Sequence, residues 1–101
     1  MTPEQKLIMA TTDAITLFTK LYDTAVVSGG PVYSRDGGSA VLDCFITKNR
    51  IIVMTLDSKP DQFAIAVAQK DVDEEPAYEV FPQAELTASK ILNYMEAHFA
   101  K

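Results

Sequence analysis

The sequence predicts an α+β fold: a four-stranded antiparallel meander sheet flanked by an N-terminal and a C-terminal α-helix. Three observations lead there. Apolar residues recur at helical spacing near both ends of the chain, alternate or run together in short β-branched stretches between Ser39 and Gln69, and are separated there by turn residues. Short connections favour pairing of sequential strands. The 101 residues make a single domain, 1–101.

The first helix opens at Thr2-Pro3-Glu4-Gln5, where threonine suits the cap, proline the first helical position and glutamine the capping box. Leu7, Ile8, Ala14, Ile15, Phe18, Leu21, Tyr22 and Ala25 then form a wide apolar stripe, the mark of a helix packed deeply on a sheet. Gly29-Gly30-Pro31 reads as its stop. Pro31 to Ser34 offers a short edge strand, and Arg35-Asp36-Gly37-Gly38 a turn.

Strand two is expected from Ser39 to Thr47, with Ala40, Leu42, Cys44 and Ile46 alternating against Val41, Asp43, Phe45 and Thr47. Lys48-Asn49 turns into strand three, Arg50 to Asp57, which is almost wholly apolar. Ser58-Lys59-Pro60-Asp61 turns into strand four, Gln62 to Gln69, with Phe63, Ile65 and Val67 on one face and Ala64, Ala66 and Ala68 on the other. A sheet with one wet face alternates cleanly. These strands do not, so a second helix or another subunit is expected over the second face, with Val41, Phe45, Ile51 and Val53 in need of cover. Ala77 to Phe81 offers a last short strand. Pro82 suits the start of the second helix, whose stripe is Ala84, Ala88, Ile91, Leu92, Met95 and Phe99. Leu86 falls off that stripe, so either the helix starts later or Leu86 has a contact of its own.

The chemistry-bearing residues are sparse. Cys44 is the sole cysteine and His98 the sole histidine. A nucleophilic pair needs both within hydrogen-bond reach and an activated thiolate. Cys44 instead falls mid-strand among apolar neighbours, and His98 at a helix C-terminus where a cation meets the dipole well. One Cys and one His do not make a zinc site. Asp71, Asp73 and Glu75 alternate like the start of a calcium loop, but Pro76 and Pro82 stand where the loop needs glycine and glutamate. Neither glycine pair has the spacing of a phosphate loop. No cofactor or metal is expected, and no enzymatic activity. Asp43, the acidic residue within a predicted strand, is expected to face solvent.

A net charge of −5 argues against direct nucleic-acid binding, which needs a cationic footprint. No apolar run reaches the roughly 20 residues of a membrane span, and the first residues lack the order of a signal peptide. One cysteine fits a reducing compartment, so a cytoplasmic location is expected.

The dense charge run Lys70-Asp71-Val72-Asp73-Glu74-Glu75-Pro76 reads as an exposed acidic loop. Asp71, Asp73, Glu74 and Glu75, with Tyr78 and Glu79 beyond, form the candidate protein-binding site. Carboxylates steer a basic partner, and a tyrosine supplies the anchor. The expected function is therefore a small acidic protein-binding module — an adaptor, inhibitor or immunity-type protein — that engages a basic protein surface. The alternative is a homodimer, chaperone-like or structural, joined through the second sheet face or a strand edge. Small acidic secretion chaperones share a loosely similar mix of helices and a sheet, and size alone points to a phage or mobile-element product.

Overall fold

The computed structural model describes residues 3–22, 27–34, 37–56, 59, 61–69 and 78–99. The elements run α1 (Pro3–Leu21), β1 (Val27–Ser34), β2 (Gly37–Cys44), β3 (Asn49–Thr55), β4 (Gln62–Gln69), β5 (Tyr78–Pro82), a 3-10 turn (Gln83–Glu85) and α2 (Ala88–His98). The strands form one antiparallel sheet in the order β1-β2-β3-β4-β5. The expected helix–meander–helix arrangement is thus observed, with the short last segment added as a fifth strand.

Register assigns every strand residue to a face. Ala40 stands opposite Val53, Leu42 opposite Ile51, Val53 opposite Ile65 and Thr55 opposite Phe63. These side chains are buried with Leu7, Ala10, Ala14 and Phe18 of α1 and Ile91 and Met95 of α2. Each large apolar side chain so buried contributes about 1.5–3 kcal/mol. Both helices therefore pack on the same face. They also point the same way: Lys6 near the start of α1 donates to the Gln83 carbonyl at 2.9 Å, and Tyr22 after its end donates to Glu96 at 3.0 Å. Phe18 meets Phe99 edge-on at 6.2 Å, closing the core where the helices end.

Several local expectations change. Gly29-Gly30-Pro31 is not a helix stop: α1 ends at Leu21, and the three residues lie inside β1, opposite Leu42, Val41 and Ala40. An edge strand tolerates glycine and proline because its outer row of N–H groups has no ladder partner to lose. β2 ends at Cys44, and Phe45 to Thr47 form the turn, closed by Lys48 donating to the Cys44 carbonyl at 3.0 Å. Lys48 takes φ 63°, a left-handed conformation. Pro82 ends β5 rather than starting α2. The helix begins at Ala88, and its Thr87 cap accepts from the Lys90 N–H at 3.3 Å. Leu86, between the 3-10 turn and the cap, is buried in the core, which explains why it falls off the helical stripe.

Candidate functional site

With both helices on one face, the other face of the sheet carries Val41 and Asp43 of β2, Arg50, Ile52 and Met54 of β3, Ala64, Ala66 and Ala68 of β4, and Tyr78 and Val80 of β5. Among the described residues no element covers it. The expectation that a second helix lies there is corrected, because α2 joins α1 instead. The set Val41, Phe45, Ile51 and Val53 is divided in consequence. Ile51 and Val53 lie under the helices, Val41 is half-buried on the bare face, and Phe45 is exposed on the β2–β3 turn.

The bare face is apolar at its centre and neutral at one end. Val41, Ile52, Ala66 and Tyr78 form one cross-strand row; Met54, Ala64 and Val80 form the next. Tyr78 is 48% exposed and Val80 53%, two positions apart on the same face of β5. Asp43 and Arg50 stand directly opposite each other. The Arg50 guanidinium donates through Nε to Oδ1 at 2.7 Å and through Nη2 to Oδ2 at 3.4 Å. That hydrogen bond raises the Arg50 pKa further above its ordinary value. Asp43 is therefore a paired, half-buried residue, not one that simply faces water.

The candidate protein-binding residues separate. Asp71, Asp73, Glu74 and Glu75 lie outside the described residues. Tyr78 is on the bare face, and Glu79, the next residue along β5, is on the helix face, where its carboxylate accepts from the Tyr94 hydroxyl at 2.9 Å. Burial first, and that hydrogen bond second, push the Tyr94 phenol up to about 12. The same edge holds an aromatic stack that the sequence reading missed. Lys90 Nζ sits 3.8 Å above the Phe81 ring and 3.3 Å from Glu85, Phe81 meets Tyr94 edge-on, and Tyr94 stacks on His98. The spacing of Lys90, Tyr94 and His98 along one helix stripe was the available signal.

Cys44 and His98 have separate partners. The buried thiol donates to the Phe99 carbonyl at 3.9 Å, and the imidazole lies on Tyr94. Among the described residues no group of three or more His, Cys, Asp or Glu side chains could hold a metal ion, and no helix is long and apolar enough to cross a membrane. Comparison with known proteins gives no match to a family model, a curated protein or a solved structure.

Proposed function

We propose that this chain is a non-enzymatic, cytoplasmic protein-binding module whose contact surface is the bare face of the sheet. The observation that supports this reading is the apolar tract of Val41, Ile52, Met54, Tyr78 and Val80 opposite the helix-covered face. Aromatic and aliphatic anchors on a rigid sheet carry binding energy well, because little conformational freedom is lost when they dock. The acidic run Asp71, Asp73, Glu74 and Glu75 lies close to Tyr78 in the sequence, and its carboxylates favour a partner with a basic surface.

The test compares partner capture from the native host by the unaltered chain and by two variants. Val80→Lys, at an exposed edge position, is expected to abolish capture by raising the dissociation rate. Neutralising Asp71, Asp73, Glu74 and Glu75 together is expected to slow association and flatten its salt dependence. A partner that binds both variants as it binds the parent refutes the reading.

A further inference from the structure

The two edges of the sheet offer different chemistry. The outer edge of β1 carries Pro31 at mid-strand, which removes a donor from its row. β5 forms the other edge, and among the described residues no strand pairs with its outer side. The phase of that side follows from one bond just beyond the strand, where the Gln83 N–H donates to the Asp61 carbonyl at 2.8 Å. Bonded pairs alternate along an antiparallel ladder, so Phe81 opposite Phe63 and Glu79 opposite Ile65 are the pairs bonded to β4. The N–H and C=O groups of Tyr78 and Val80, with the Pro82 carbonyl, therefore point away from the sheet. An outward row of main-chain donors and acceptors is complementary to an extended strand, whatever docks on the bare face.

We infer that this edge pairs with β5 of a second copy of the chain, antiparallel, about a two-fold axis that crosses the sheet beside Val80. In that register Val80 stands opposite Val80 of the second copy, and Tyr78 opposite its Pro82. The two Val80 residues exchange N–H to carbonyl bonds, and each Tyr78 N–H donates to the other copy's Pro82 carbonyl. Glu79 falls beside Phe81 of the second copy in a pair without main-chain bonds, the kind in which side chains come closest. Lys90 Nζ sits 3.8 Å above the Phe81 ring of its own chain. Each copy's Glu79 carboxylate thus meets the other copy's Lys90 ammonium. Tyr94 occupies Glu79 Oε1, and a carboxylate has a second oxygen to offer.

Charge and bonding select this register over its neighbours. A pair centred on Glu79 sets two carboxylates directly opposite each other, which is destabilising. A pair centred on Phe81 sets Val80 against Pro82, which has no N–H to return the bond. The helices leave room for the contact, since α2 packs against α1 and β3 and reaches β5 through the side chains of Lys90 and Tyr94. One short strand from each copy makes a contact below the standard size, so the dimer is weak, with a Kd on the order of 0.1–1 mM. Closed two-fold symmetry, with Pro31 on the other edge, stops assembly at two copies.

Sedimentation equilibrium of the full chain, over roughly 20 μM to 2 mM, tests this. The expected result is a monomer–dimer equilibrium with no larger species. Val80→Pro removes an outward N–H and no bond to β4, and it weakens the dimer more than about tenfold, whereas Val80→Ile leaves it within about twofold. Circular dichroism at the lowest concentration confirms that each variant is folded. Glu79→Lys and Lys90→Glu chains, each alone, associate more than about tenfold less than the parent. Mixed in equal amounts they dimerise again, because every cross-copy pair then joins opposite charges. Neither chain changes on mixing, so an effect confined to one copy's own fold gives no such rescue. A parent chain that stays monomeric across that range overturns the dimer. A folded Val80→Pro chain that dimerises like the parent overturns the edge as its site. A mixture no more associated than its separate components overturns the Val80-centred register. If Val80→Pro does not fold, the mixture decides alone.

Discussion

Tyr94 shows how a single side chain ties the edge strand to the helix layer. Its hydroxyl donates to Glu79, and only the protonated phenol can do so. The folded chain therefore holds this proton more tightly, up to about 12, than the unfolded chain with its ordinary value of 10.0. A raised folded pKa stabilises fully below the unfolded value and is lost as pH rises between the two. Alkaline unfolding followed by phenolate absorbance is expected to steepen in the window from 10.0 to about 12. Tyr94→Phe should lessen that steepening, leaving the share of Tyr22, whose phenol is likewise raised by its hydrogen bond to Glu96, and cost about 1 kcal/mol at neutral pH, a figure reduced because the pair is open to solvent. Lys48 is a second instance. Its φ of 63° strains any residue with a Cβ. Lys48→Gly relieves that strain but gives the unfolded chain more freedom, so the net gain is at most about 1 kcal/mol by thermal unfolding. Lys48→Val is expected to cost more than about 1 kcal/mol, because a β-branched residue tolerates this region worst.

At the level of the element, start signals prove more local than stripes. The apolar stripe of α1 and the alternation in β2 and β4 were legible because burial on one face imposes a period that few other arrangements share. The boundary of α2 was not, since Pro82 suits a helix start and an edge-strand end equally well. The off-stripe Leu86 carried the missing information, for a buried residue out of phase implies that the helix has not begun. Thr87 then supplies the cap. Thr87→Ala is expected to lower stability by about 1 kcal/mol, measured by urea unfolding, and Thr87→Asp to retain most of it. The same ambiguity hid the first half of β1, ahead of the edge strand read at Pro31 to Ser34: Gly29-Gly30-Pro31 stops a helix in isolation, but it also fits an edge strand when eight residues of β2 stand opposite β1 to pair with it.

For the whole molecule, the question that the residues raise but cannot answer is which sheet face the helices take. Ile51-Ile52-Val53-Met54 announces two apolar faces without ranking them. The helix stripes require a sheet partner but fit either side. The choice follows from volume: one face offers Phe63 and Ile65 from β4, the other only alanines, so the helices bury more apolar area on the first. Of the candidate site, sequence showed the acidic run and Tyr78, but the bare face emerges only once both helices are placed. This asymmetry makes neighbouring isoleucines of β3 behave differently. Ile51 is fully buried under the helices, while Ile52 is half-buried on the bare face. Ile51→Ala is expected to cost about 2–5 kcal/mol at every protein concentration, as lost transfer energy plus a cavity. Ile52→Ala leaves no enclosed cavity in one copy, so in dilute solution it should cost less than about 1 kcal/mol. Denaturant midpoints for the two variants, compared with the parent chain, check this. Equal costs would mean that the sheet is packed alike on both sides, whereas a several-fold larger deficit for Ile51→Ala places the closed core on the helix side alone.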